Sequence, residues 1–258
     1  WNNSSSNACQ GVFIPANSTN SVIFPPNFNV IENTPSNTIL DNGFYIESTN
    51  PITAYYEVIG TTPHNPEIFS LKGKNAMGNT FFIPFQSVAN NTNTFNPLPS
   101  AAFDIVATVD NTTITITPTK PIIGSIANQP LTVLLNKGQT YSAQSPSLLA
   151  SERPSGTKVT ADKPISITMK DDGLDGGALF GNFCRDLTGT QIVPIEKIGT
   201  KYVVQKGFLN GNEFAFVVST SSNTQVIMDG IPQGIINEGQ LLVLSITNGS
   251  HFVESSAP

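Results

Sequence analysis

One phrase recurs along the chain in fixed company. It reads "IESTNPITAY" at Ile46 to Tyr55, "VTADKPISIT" at Val159 to Thr168 and "VESSAP" at Val253 to Pro258. Before the second and third occurrences, four further stretches match in the same order. "TFFIPF" (Thr80 to Phe85) pairs with "TQIVPI" (Thr190 to Ile195), and "FDIVAT" (Phe103 to Thr108) with "FAFVVS" (Phe214 to Ser219). "NTTITI" (Asn111 to Ile116) pairs with "NTQVIM" (Asn223 to Met228), and "NKGQ" (Asn136 to Gln139) with "NEGQ" (Asn237 to Gln240). A partial earlier copy runs through "NSVIF" (Asn20 to Phe24), "DNGFYI" (Asp41 to Ile46) and "STNPI" (Ser48 to Ile52). Such order predicts internal duplication, with each unit burying its joint against the next. In the first two copies a strand-forming segment follows the proline, "ITAYYEVIG" after Pro51 and "ISITMKDD" after Pro164. The expectation is a partner strand and further modules beyond Pro258.

The period within each stretch is that of strands. Phe103, Ile105 and Ala107 alternate with Asp104, Val106 and Thr108, which puts the first set on a buried face. Alternation resumes from Thr113 to Thr117, and Asp110-Asn111 between the two runs tolerates the positive φ of a tight hairpin turn. Pro118 ends the run because it has no N–H to donate. No segment shows a helix period with caps. Many short strands punctuated by 20 Gly and 19 Pro predict an all-β fold of tandem β-sandwich-like modules. The expected divisions are a partial N-terminal module over 1–78, a second over 79–180 and a third, truncated at its C-terminal end, over 181–258.

Composition narrows the setting. Hydrophobic residues make up 38%, including 16 Phe, so a real core is available. Charged residues make up 12%, about half the ordinary share, and Asn, Ser and Thr take their place. That mix suits an extracellular or cell-surface protein. The net charge of −6 and the lack of a Lys/Arg cluster argue against nucleic acid and against a polybasic membrane patch. "LLVLSI" (Leu241 to Ile246), among the longest apolar runs, is far too short to span a bilayer, so no membrane insertion is expected.

Few constellations promise chemistry. The histidines, His64 and His251, fall in different units, and neither a nucleophile elbow nor a phosphate-binding glycine loop is present. Asp171, Asp172 and Asp175 form the densest acidic spot, "KDDGLDGG". On a Gly-rich loop they would converge on Ca²⁺, although the spacing fails the EF-hand pattern and Lys170 opposes a cation. A solvated turn and a ligand-contacting loop with Arg185-Asp186 are the competing readings. The two cysteines, Cys9 and Cys184, are expected to form one disulfide, which in the chain-entropy picture is worth about 4–5 kcal/mol at most. Two separate buried thiols are the other reading. Tyr55 and Tyr56 are adjacent in a strand, so one faces outward. Trp1 is terminal.

Five stretches together carry a resemblance. They are "EIFSLKGKNAMGNTFFIPFQ" (Glu67 to Gln86), "FDIVATVDNTTITITPT" (Phe103 to Thr119), "LTVLLNKGQTYSAQ" (Leu131 to Gln144), "GTKVTADKPISIT" (Gly156 to Thr168) and "CRDLTGTQIVPIEKIGTKYVV" (Cys184 to Val204). From Ile46 onward the chain resembles the IgGFc-binding protein N-terminal-like domain family, found in large surface proteins of Bacteroidetes-type bacteria and in an animal mucus glycoprotein. The resemblance implies an exported, non-catalytic binding or adhesion region, often delivered by type IX secretion machinery, and supplies no catalytic residues. The expected partner is a surface glycan or protein, and no cofactor is expected beyond the Ca²⁺ named above. The alternatives are a carbohydrate-binding accessory region of a secreted polysaccharide-degrading protein, a secreted cargo with a purely structural role, and an enzyme in its own right.

Overall fold

In the computed structural model the described residues are 11–23, 32–58, 67–177, 185–207 and 211–258. Among them the fold is all-β. The strands are β1 (Ile39–Leu40), β2 (Ala54–Val58), β3 (Glu67–Leu71), β4 (Gly78–Phe82), β5 (Ala101–Ala107), β6 (Thr112–Thr117), β7 (Leu131–Leu135) and β8 (Thr140–Gln144). The long β9 (Lys158–Asp175) follows, then β10 (Arg185–Gln191), β11 (Lys201–Gln205), β12 (Glu213–Val218) and β13 (Thr224–Met228). The last are β14 (Ile231–Ile236), β15 (Leu241–Ile246) and β16 (Ser250–Ser255). Every pairing between these strands is antiparallel. Single 3-10 turns lie at Gly73–Ala76, Ala150–Glu152 and Ile195–Lys197.

β9 organises the first region. Its first half pairs with β4 on one edge and β6 on the other. Its second half pairs with β5 and β10. With β6 joined to β7, and β5 to β8 and β1, the eight strands curl into a near-closed barrel. Pro164 stands inside β9, where the strand passes from one set of partners to the other. A missing N–H costs no ladder bond at such a point. The interior is filled as alternation predicts: Phe103, Ile105 and Ala107 from β5 meet Ile114 and Ile116 from β6, with Phe81, Val159, Ile165 and Ile167. Asn111 takes the turn with φ 53°, and β6 ends at Thr117, next to Pro118. β10 lies in this same sheet, so the sheet extends past residue 180, where the second module was expected to end.

The second region repeats the pairing scheme. β14, β13, β16 and β11 stand side by side in the order of β7, β6, the first half of β9, and β4. β12 pairs with β15 as β5 pairs with β8. The registers agree across the β6–β9 and β13–β16 pairs, while β13–β14 carries a bulge after Val226 that β6–β7 lacks. Ile116 faces Val159 and Ile114 faces Ala161, while Met228 faces Val253 and Val226 faces Ser255. Side-chain bonds recur with them. Asn136 Oδ1 accepts the N–H of Asn111 at 3.1 Å, and Asn237 Oδ1 that of Asn223 at 3.1 Å. Gln139 Oε1 caps the N–H of Asn136 at 2.9 Å, and Gln240 Oε1 that of Asn237 at 2.8 Å. The buried Thr112 and Thr224 hydroxyls donate to the carbonyls of Val109 and Ser221.

Two of the expected equivalences shift. Gly138 donates to the carbonyl of Ala107 and Gly239 to that of Ser219, so Ala107, not Thr108, corresponds to Ser219. "FDIVAT" therefore aligns with "AFVVST", one residue later than letter matching suggests. "TFFIPF" and "TQIVPI" do not occupy equivalent places. Phe81 pairs with Val159 as Tyr202 of β11 pairs with Val253, whereas Thr190 belongs to β10. Both stretches carry Ile ahead of a proline just past a strand end, which is why the letters agree where the positions do not.

The regions meet through backbone. A Cβ on Gly156 would lie 1.8 Å from the carbonyl oxygen of Gly239, and Gly156 has φ +80°, so only glycine fits there. Lys158 and Glu238 form an exposed ion pair beside this contact, at 2.7 Å.

Candidate interaction surface

The acidic spot read as a loop is strand. β9 continues to Asp175 because β5 and β10 supply ladder partners on both sides, and this outweighs the weak strand preference of Asp and Gly. Successive residues of a strand point to opposite faces, so Asp171 and Asp172 diverge. Asp171 is buried and accepts from Arg153 Nε at 2.6 Å; Arg153, also buried, donates through Nη2 to Asn91. Asp172 accepts the backbone N–H of Ser100. Asp175 accepts from Gly177 N–H at 2.9 Å and lies 3.8 Å from Arg185 Nε. Arg185 in turn donates to Thr92 Oγ1 at 2.8 Å. The three carboxylates are thus engaged with three different partners. No group of three or more metal-ligating side chains forms among the described residues.

Cys9, Cys184, His64 and Trp1 lie outside the described residues. His251 is described: its Nδ1 is 2.6 Å from Asp229 Oδ2, and Asp229 Oδ1 accepts the N–H of Phe252 at 2.8 Å. These bonds hold the Asp229 carboxyl below its usual range, and the Asp229 bond holds the His251 imidazole above its own. They tie the β13–β14 turn to β16.

The β2–β3 hairpin displays large side chains. Tyr56 and Phe69 face each other across it and stack, with ring centroids 4.5 Å apart and planes 10° from parallel. Phe69 is buried against Gly189 of β10, where a Cβ would come within 2.2 Å of its ring. Tyr56 stays 38% exposed overall, yet desolvation of its phenol, with the nearby Asp104 carboxylate, pushes that group above its ordinary value. Lys72, just after β3, fastens the hairpin end: its N–H donates to Gln191 Oε1 and its ammonium to Thr190 Oγ1 at 2.9 Å. Alternation then sends Tyr55 and Ile68 to the opposite face, 59% and 56% exposed. The outward tyrosine expected of the Tyr55-Tyr56 pair is therefore Tyr55. Ile68, diagonal to it across the hairpin, carries no signal in the sequence beyond its place beside a buried Phe. Tyr45 and Tyr202 are also exposed, and Lys137 Nζ sits 5.7 Å above the Tyr45 ring.

A second feature is the edge of β12. β5 is flanked by β8 and β9, whereas β12 has only β15 beside it among the described residues. The side chains reflect this. Phe103 and Ile105 of β5 are fully buried, and their counterparts Ala215 and Val217 are half-buried against a smaller core of Val226, Ile236, Leu244 and Val253.

Among the described residues no helix is long and apolar enough to cross a membrane. A family model described as IgGFc binding protein covers residues 68–258. No curated protein and no solved structure matches.

Proposed function

Because the chain belongs to the IgGFc-binding protein family, whose model spans well over half of it, we propose that it is a non-catalytic extracellular binding module of a large bacterial surface protein, working in adhesion. The observation that carries this reading is the β2–β3 hairpin. Its inner face is locked by the Tyr56–Phe69 stack while Tyr55 and Ile68 stand in solvent. A rigidly mounted tyrosine offers a large contact area at small conformational cost, which is what a recognition surface needs. Surface display through type IX secretion machinery, continuation into further modules and an internally duplicated architecture belong to the same reading. The low charge and the abundance of Asn, Ser and Thr support it.

A second reading, a carbohydrate-binding accessory region, is favoured by the outward tyrosines 45, 55 and 202, whose flat faces suit sugar stacking. One experiment addresses both. The chain and its Tyr55→Ser/Ile68→Ser variant are screened against glycan and host-protein arrays, with immunoglobulin Fc included because the family description names it. A protein ligand lost at least tenfold in the variant supports adhesion through the hairpin; a glycan ligand lost likewise supports the second reading. Ligands bound equally by both chains, or no ligand at all, would remove the hairpin from the mechanism.

A further inference from the structure

β12 is built to be paired on both sides. The Ser219 N–H donates to the Gln240 carbonyl at 3.2 Å, and its carbonyl accepts from Gly239 at 2.8 Å, so Ser219 faces β15. Antiparallel alternation then aims the backbone groups of Val218, Phe216 and Phe214 at the opposite side, where no strand stands among the described residues. In β5 the corresponding residues, Val106, Asp104 and Ala102, face Ser166, Thr168 and Lys170 of β9.

The first contact of the second pairing is already made. In the first region Thr108 donates to the carbonyl of Pro164 through its N–H at 3.4 Å and its hydroxyl at 2.5 Å. The next residue of β9, Ile165, pairs with Ala107, and the ladder continues to Asp171 opposite Ala101. In the second region Thr220 donates to the carbonyl of Pro258 through the same two groups, at 3.1 Å and 2.7 Å. The clamp thus sets both direction and register: a residue joined to Pro258 falls opposite Ser219, and the next opposite Val218.

Side chains specify what fits. On the inner face, Ala215 and Val217 are smaller than Phe103 and Ile105 and only half-buried, whereas Phe103 faces Met169 and Ile105 faces Ile167 across the β5–β9 ladder. On the outer face, Phe214 and Phe216 replace Ala102 and Asp104, and their ring centroids are 6.5 Å apart. Lys170 answers Asp104 with an ion pair at 3.0 Å, and the aromatic pair of β12 offers no such carboxylate.

We propose that the edge of β12 from Phe214 to Val218 is an acceptor site for one more antiparallel strand, joined to Pro258, aliphatic at its first, third and fifth residues and uncharged between them. Backbone bonds supply the affinity of such strand addition, and the alternating side chains supply its selectivity.

The test extends residues 1–258 at Pro258 with the sequence Ile-Ser-Ile-Thr-Met, that of Ile165–Met169. Amide exchange at Val218, Phe216 and Phe214 should slow about tenfold or more, and the thermal midpoint should rise by about 5 °C. The same extension with proline at its second and fourth positions, which must donate to β12, should give neither effect. Phe216→Pro should remove the gain from the acceptor side. Since that variant risks misfolding, the proline-bearing extension is the deciding control. Unchanged exchange in the extended chain, or equal protection from both extensions, would overturn the proposal. Equal protection by the free pentapeptide would overturn the covalent source and make the edge a receptor for another molecule's strand.

Discussion

Two regions share one pairing scheme and differ in how far it is completed. In the barrel, β5 lies between β8 and β9, and Phe103 and Ile105 are sealed. In the second region, β12 has one neighbour among the described residues, and Ala215 and Val217 remain half-buried. The difference teaches that local patterning and turn chemistry suffice to form the hairpins. Asn111 and Asn223 take the same left-handed turn with the same caps in both regions. Closing the barrel core is a separate matter that depends on a strand further along the chain. The second half of β9 performs it for the barrel, arriving some sixty residues after β5.

The sharpest way to break this comparison is to truncate matched cross-strand positions. Phe81→Ala in the barrel should cost about 4 kcal/mol. Tyr202→Ala, facing Val253 as Phe81 faces Val159 but half exposed, should cost about 1 kcal/mol. Equal costs, measured by urea denaturation with hydrogen exchange reading each region separately, would mean that the second core is as closed as the first.

Next in size is the buried ion pair, present in the barrel alone among the described residues. Arg153→Met leaves Asp171 buried without its cation and should cost about 3 kcal/mol. Adding Asp171→Leu should recover most of the loss, since the pair's own attraction is largely offset by desolvation. Loss of stability confined to the second region would contradict the assignment.

The turns should behave alike. Asn111→Ala and Asn223→Ala each put an alanine at positive φ, with an expected cost of about 1 kcal/mol apiece. Asn→Gly at either position should be nearly neutral. A large disparity between the two sites would show that their shared geometry does not carry shared energetics.

The smallest effect is one of pH and belongs to the second region. His251, raised by its bond to Asp229, stabilises fully below the ordinary histidine range, and the contribution fades as pH climbs through its raised value. Asp229, lowered first by the Phe252 N–H and then by His251, contributes above the ordinary carboxylate range and fades as pH falls through its lowered value. Protection of the Phe252 amide should therefore peak between about pH 4 and pH 6.5. In Asp229→Asn the NMR titration of His251 should move down toward the ordinary value. An unmoved titration would separate the two groups.

Much of this was legible in the sequence because alternation and turn residues are local signals. Phe103, Ile105 and Ala107 are buried as their spacing requires, and Pro118 does end β6. What was not legible depends on distant partners. Asp171 to Asp175 read as a loop by composition, and β5 and β10 make them strand. "ISITMKDD" read as a strand that follows Pro164, yet Pro164 sits inside one continuous strand at the place where the partners change. Arg153 gave no hint of its burial, since nothing local shows that Asp171 and Asn91 come to meet it. On the candidate surface, the outward turn of one tyrosine followed from the pleat, but which one followed only from the Phe69 stack.

The position of β9 in the chain also fixes a timetable. A nascent polypeptide emerging from its N-terminal side makes the β5–β6 and β7–β8 segments long before Val159 and Ile165 appear. Until then the aliphatic faces that later line the barrel have no common strand to close over. Contacts so remote along the chain slow assembly, so the interval before Lys158–Asp175 emerges is when this protein is most exposed to aggregation, and when holding factors would matter most.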